Sequence, residues 1–204
     1  MSSSTIQDVA KMAGVSVATV SRVLNNSSAV AKSTRDAVLE AIKKLDYRPN
    51  LLGRNLRRSE TRMILVLLPT IANPFYSRIV KGMEDIALKN GYNIMLCNTD
   101  SNVDRERIYL ELLKNKLADG VIFMAPELDG EELSLLGRDF PAVQCCEYKE
   151  DAEVSHVTID NFEAAGKATK HLIALGHKRI GFISCSNKFL STKRREQGFK
   201  AAIE

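Results

Sequence analysis

Three observations make this an α/β chain that opens on a small all-helical domain. Residues 5–45 carry three short helical periodicities separated by turn residues, with no strand-like run among them. From Met63 onward, short continuous apolar runs alternate with longer amphipathic segments, the pattern of a parallel sheet covered on both faces. The charge divides at the same place. Residues 1–62 hold 11 Lys and Arg against 5 Asp and Glu, a net of +6, whereas residues 63–204 hold 18 against 20, which together give the +4 of the 204-residue chain. A basic surface confined to the helical end suits a partner rich in phosphates.

The helical end reads in order. Thr5 caps a first helix with Ile6, Val9 and Ala10 on one apolar face. Gly14 breaks it, because reversing the chain calls for a residue that takes positive φ without strain. Ser16 caps a second helix that buries Val20, Val23 and Leu24. Its other face carries Val17, Ala18, Ser21, Arg22 and Asn25, small or polar residues suited to a groove. Helix, glycine turn, capped helix is the helix-turn-helix pattern, whose second helix lays side chains on base edges in the DNA major groove. A plain helical hairpin is the alternative, and it leaves that outward face unexplained. A third helix, capped by Ser33 and running to Leu45, is expected to turn Val38, Leu39, Ile42 and Leu45 inward.

The remainder alternates. Strands are expected at 63–69, 92–98, 119–124, 142–147, 154–160 and 179–185. Helices are expected at 75–89, 103–117, 128–136 and 162–175, with a last one from Thr192. Ligands of open parallel sheets sit beyond the carboxyl ends of the strands. That rule points to Asn73, Pro74, Phe75 and Tyr76, then to Asn98 and Asp100, Ala125, and Cys146 with Glu147. The first such loop, PTIANPFY, has no glycine, which excludes a Rossmann phosphate cradle, and no Walker motif occurs.

Several stretches resemble one family. DVAKMAGVSVATVSRVLN, TRDAVLEAIKKLDYRPN and RNL are similar to the lactose/galactose repressor (LacI/GalR) family of bacterial transcription regulators. NPFYSRIVKGMEDIA and HLIALGHKRIGFIS resemble its effector-binding part, so the likeness spans essentially the whole chain. It implies a helix-turn-helix domain at 1–49, a hinge helix and linker at 50–62, and a periplasmic-binding-protein-like parallel α/β core. The first lobe of that core would span 63–161 and the second would start at 162–204. The chain ends at Glu204 inside a helix after one strand of that lobe, so the expectation is a truncated second lobe and a cleft short of one wall.

The resemblance also implies roles. Val17, Ala18 and Arg22 would face the major groove, where Arg pairs with guanine and Val meets a thymine methyl. Thr5, Ser16, Thr19, Ser21, Asn25 and Thr34 would contact the DNA backbone, which sets register rather than sequence. Asn50, Arg54 and Leu56 belong to a hinge shorter than the roughly 12–15 residues an isolated helix needs. It is expected to fold on docking, with Leu56 wedged into a minor-groove step. Gly53 stands where the family favours Ala, at about 1 kcal/mol in helix stability. A basic linker is the alternative reading of 50–62.

Phe75 and Tyr76 would stack on a sugar-like or purine-like effector, although Phe75 can equally be helix-start core. Asp100, Asp160, Asn161 and Arg195 would complete the pocket. Arg195 offers a planar fork to hydroxyls or a carboxylate, or else is one of three solvated cations at 193–195. Relatives often close the fourth strand with a pocket-facing Asp where this chain has Cys145-Cys146-Glu147. Glu147 is a substitute, on a strand position expected to face the opposite way.

Other classes fit less well. An enzyme needs a nucleophile–base pair, paired carboxylates or a metal cluster, and none is legible. His177 falls in a helix-to-strand turn. Cys97, Cys145, Cys146 and Cys185 lack metal-ligand spacing and read as reduced thiols, with a redox sensor at Cys145–Cys146 as the alternative. Neither metal nor cofactor is expected. The longest apolar run, Met63 to Leu68, is too short to span a bilayer, and the N-terminus lacks a signal peptide. The expectation is a cytoplasmic homodimer that binds a near-palindromic double-stranded operator, since one small helix-turn-helix reads too few base pairs alone. The Phe75–Ile86 face is its expected core contact.

Overall fold

The computed structural model describes residues 4–25, 27, 29–47 and 60–204. The chain divides between residues 58 and 59 into two compact units. In the first, α1 (Ile6–Ala13), α2 (Val17–Leu24) and α3 (Lys32–Lys44) enclose a core of Val9, Ala10, Val20, Val23, Val38 and Ala41. Thr5 and Asp8 form a reciprocal capping box: the Thr5 hydroxyl accepts from the Asp8 N–H at 3.3 Å, and the Asp8 carboxylate accepts from the Thr5 N–H at 2.8 Å. Gly14 ends α1 at φ +64°, and Ser16 Oγ accepts the Thr19 N–H at 3.1 Å to start α2.

Two expectations for α3 are corrected. Its N-cap is Ala31, without a side-chain hydrogen bond, and Ser33 lies inside the helix. Leu39 is half exposed, because the inward stripe is Val38, Ala41, Ile42 and Leu45, spaced i, i+3, i+4, i+7, and residue 39 falls on its flank.

The second unit is a parallel sheet in the order β2-β1-β3-β4-β5, from β1 (Met63–Leu68), β2 (Asn93–Asn98), β3 (Gly120–Phe123), β4 (Ala142–Cys145) and β5 (His156–Val157). Helices α4 (Pro74–Lys89), α5 (Val103–Lys114) and α6 (Gly130–Asp139) cover it. Alternation along β1 assigns the faces. Leu65 and Leu67 share a core with Leu110 and Leu113 of α5 and Leu133 of α6, whereas Val66 and Leu68 pack with Tyr76 and Val80 of α4. Residues 65–68 are buried throughout, as a strand covered on both sides requires. The Asp119 carboxylate accepts from Thr61 N and Oγ1 and from Arg62 N, all at 2.7 Å, at the entry to β1.

Beyond the sheet, α7 (Asn161–Ala174) packs on α8 (Leu190–Ile203). The crossing is close at Gly198, where an added Cβ would lie 2.1 Å from the Phe162 carbonyl oxygen. The expected sixth strand at 179–185 is corrected: these residues join no ladder, and Ile183 is 99% exposed. A strand exists only as part of a pair, and among the described residues nothing pairs with this one. For the same reason β5 is two residues long instead of seven.

Candidate nucleic-acid face and ligand cavity

Both capped ends of α2 hold its outer face clear of the core. Val17, Ala18, Arg22 and Asn25 are exposed, and Thr19 and Ser21 are half-buried. No ion pair or hydrogen bond engages the Arg22 guanidinium among the described residues, so its donors face solvent. Several of the polar groups serve the fold first. Thr5 and Ser16 are caps, the Thr19 hydroxyl pairs with Ser16 Oγ at 3.0 Å, and Asn25 Nδ2 donates to the Ser21 carbonyl at 2.8 Å. Thr34 is half-buried in the first turn of α3. Beside it, Arg35 donates to the Ser27 carbonyl at 2.6 Å, closing the turn that leads into α3. Asn50, Arg54, Leu56 and Gly53 lie outside the described residues.

The second unit carries a cavity of about 490 Å³ at the carboxyl end of β4 and β5. Phe75 and Ile79 of α4 supply one wall, Cys145, Cys146 and Glu147 the floor, and Asn161 with Arg195 the polar side. Asn73 caps α4 by accepting the Phe75 N–H at 3.0 Å, with Pro74 in the first helical position, and this leaves the Phe75 ring half exposed over the opening. Asn161 is 7% exposed; its Oδ1 accepts from Arg195 Nε at 2.8 Å and its Nδ2 donates to the Ile159 carbonyl at 3.2 Å. That contact aims the guanidinium and leaves its terminal nitrogens without a partner among the described residues.

Asp160 caps α7, accepting the Glu163 N–H at 2.8 Å, and borders an adjoining cavity of about 490 Å³ with Tyr148, Asn161 and Arg194. Asn161 thus belongs to both spaces.

Two expected pocket residues are elsewhere. Tyr76 is buried in the core with Val66, Leu68, Val80 and Met124, its ring edge-on to Phe75 at 5.4 Å. Burial holds its hydroxyl above the ordinary phenol value, and Glu147 and Cys146 add to the shift. Asp100 sits in the loop after β2 in a left-handed conformation, tied to Arg105 and Asn98, and does not line the cavity. Glu147, by contrast, does line it. Its Oε2 accepts the Ser191 N–H at 3.1 Å, fastening the start of α8 to the loop after β4. Strand parity fails at this point because β4 ends at Cys145 and Cys146 turns at φ +71°.

Sequence reasoning missed Thr158, Asn187, Phe189 and Ser191 as lining residues. Phe189 had a legible signal, since it precedes α8 as Phe75 opens α4. Thr158 had none. Its hydroxyl donates to the Cys146 carbonyl at 2.8 Å, a contact fixed by the pairing of β4 with β5. Among the described residues no group of three or more metal-ligating side chains occurs, and no helix is long and apolar enough to cross a membrane.

Comparison with known proteins matches both units. Residues 61–204 match the family described as periplasmic binding proteins and sugar binding domain of LacI family, and residues 5–50 match bacterial regulatory proteins, lacI family. The chain is 46% identical over 179 residues to the HTH-type transcriptional regulator RegA of Clostridium saccharobutylicum, covering 87% of this chain and 54% of RegA. It is 40% identical over 200 residues to the ribose operon repressor of Halalkalibacterium halodurans, covering 98% and 60%. The lac repressor dimer bound to operator and the anti-inducer ONPF superposes with a TM-score of 0.86 at 26% identity, covering 99% of this chain and 62% of that one. The chain therefore spans a little over half the length of these relatives.

Proposed function

This chain belongs to the LacI family of bacterial regulatory proteins, and on that premise we propose that it is a sequence-specific DNA-binding transcription regulator, a repressor. It binds a palindromic operator as a homodimer, with affinity set by a small effector. The observation that carries this reading is the outer face of α2. Small side chains at Val17 and Ala18 let the helix approach base edges, and the exposed Arg22 supplies the two-pronged donor that fits guanine. Thr5, Ser16, Thr19, Ser21, Asn25 and Thr34 supply backbone contacts, and those already used as caps hold the helix at its working angle. Asn50, Arg54 and Leu56 enter as hinge contacts on the family likeness alone. The structure of the lac repressor, a dimer bound to operator, supports the stoichiometry. Residues 1–49, 50–62, 63–161 and 162–204 are the proposed domain, hinge and two lobes.

The effector is sugar-like or purine-like. Phe75 offers a stacking face at one side of the cavity, and Arg195, held by Asn161, offers paired donors at the other. Asp160 takes part through the adjoining space. Tyr76 contributes by supporting Phe75, and Asp100 only by shaping the nearby loop.

The test is fluorescence anisotropy with a palindromic duplex carrying a central CG step, against a scrambled duplex of the same composition. The palindrome is expected to bind more tightly, and Arg22→Ala is expected to reduce the preference by about 1–3 kcal/mol, roughly 5- to 150-fold. Equal binding of the two duplexes by the parent, persisting when dimerisation is enforced, contradicts the reading.

A further inference from the structure

We propose that the Cys145–Cys146 pair is a covalent modification site in the cavity wall, where Cys145 captures a low-molecular-weight disulfide from solution as a mixed disulfide. The two sulfurs lie 3.7 Å apart at the end of β4, both half-buried, and both line the 490 Å³ cavity. The left-handed turn at Cys146 brings both side chains to one place, where a regular strand would send them to opposite faces. The cavity admits a small reagent, and neither thiol is committed to a disulfide or, among the described residues, to a metal cluster.

The two sulfurs share one S–H···S contact, in which either can donate, so a thiolate on one is stabilised by the S–H of the other; this lowers the Cys145 thiol below and pushes Cys146 above an ordinary thiol. The proton thus stays on Cys146 and Cys145 is the nucleophile. Around the pair stand Glu147 on the same loop, Tyr76 from α4, and Arg195 and Cys185 across the cavity.

In the reaction the Cys145 thiolate attacks one sulfur of the small disulfide. A new S–S bond forms as the old one breaks, and the departing thiolate takes a proton from water. The Cys145 sulfur is oxidised from the thiolate to the disulfide level as the departing sulfur is reduced to a thiolate, and the captured half stays at the disulfide level. Displacement of the captured group by Cys146 is disfavoured. Adjacent α-carbons are about 3.8 Å apart across a trans peptide, whereas a protein disulfide needs roughly 4.4–6.8 Å. The adduct therefore remains in the cavity, between Phe75 and Arg195.

The experiment is time-resolved labelling of the folded chain with bis(2-hydroxyethyl) disulfide, followed by intact mass and peptide mapping, in a Cys185→Ser background. A single adduct on Cys145 is expected, with a rate that rises with pH and levels off below the range in which an ordinary thiol still titrates. In Cys146→Ala the Cys145 thiol loses its S–H partner and returns towards the ordinary value, which lowers the thiolate fraction at neutral pH. The greater nucleophilicity of the less acidic thiolate offsets part of this, so labelling slows severalfold. Cys146→Ser retains a donor and keeps the parent rate within about twofold. Absence of an adduct on Cys145, or equal rates in parent and Cys146→Ala, overturns the proposal. Cys97 is buried, with its thiol raised to about 11 by burial, so its labelling marks an unfolded variant. In that event the Ser variant and the parent's pH profile decide. The labelling chemistry is independent of the DNA reading.

Discussion

Glu106 shows how one buried side chain shapes the second unit. It is 1% exposed on α5, and its two oxygens accept the N–H groups of Glu127 and Leu128 at 3.0–3.1 Å, bracing the loop between β3 and α6. Burial raises its carboxyl above 4.5, and the two backbone donors oppose that. A carboxyl raised on folding takes up protons more readily in the folded state. Its stabilising contribution is therefore complete below 4.5 and is lost as pH rises through the higher folded value. Urea unfolding across that window is expected to show Glu106→Gln gaining less than the parent as pH falls. Parallel curves would refute it. Glu106→Ala is expected to cost about 2–3 kcal/mol, because the two N–H groups lose their acceptor under a buried Leu128.

Nothing in the spacing of residues 103–114 marks Glu106 as buried. The caps at Thr5 and Ser16 were legible because each acts on a neighbour within three residues. Glu106 acts on a loop 21 and 22 residues away. The same distinction separates the pocket residues. Phe75, Asn161 and Arg195 line one cavity; Phe75 was expected from its place beyond a strand end, Asn161 and Arg195 from the family resemblance. Tyr76 adjoins Phe75 but points into the core, and the side taken by Glu147 followed from a left-handed residue that no periodicity foretells.

At the scale of elements, the α7–α8 crossing is the most constrained contact. Gly198 admits the Phe162 carbonyl where a methyl group has no room, since the obstacle is backbone and cannot rotate aside. Gly198→Ala is expected to push the two helices apart and lower stability by about 1–3 kcal/mol, read as a drop in the urea midpoint. An unchanged midpoint would show that the helices slide without cost. Because α8 also carries Arg195, the same substitution shifts the guanidinium from Asn161. Element types along 63–174 were readable from apolar runs alternating with amphipathic ones. The run at 179–185 reads equally well as a strand, yet forms none here, because a strand's existence depends on a neighbour and its own residues state only the propensity.

At the scale of the whole molecule, charge is the property that sequence conveys best, as it requires no geometry. The net +6 of residues 1–62 against −2 for the remainder places the excess cations with the helix-turn-helix and the segment that follows it. Duplex binding is accordingly expected to weaken log-linearly with salt, and the scrambled duplex should share most of that slope because phosphate contacts are common to both. Titration of both duplexes from low to physiological salt measures it. A flat response would remove phosphate contact from the proposed mechanism.

The sheet order β2-β1-β3-β4-β5 bears on how the protein is made. Ile64 pairs with Ile94 on one side and Gly120 on the other, so the most apolar strand is synthesised long before either of its neighbours. Parallel pairing across such separations closes large loops and forms slowly. While residues 69–120 emerge from the ribosome, MILVLL has unpaired edges and two uncovered faces. That interval is when the nascent chain is most exposed to aggregation and most dependent on chaperones.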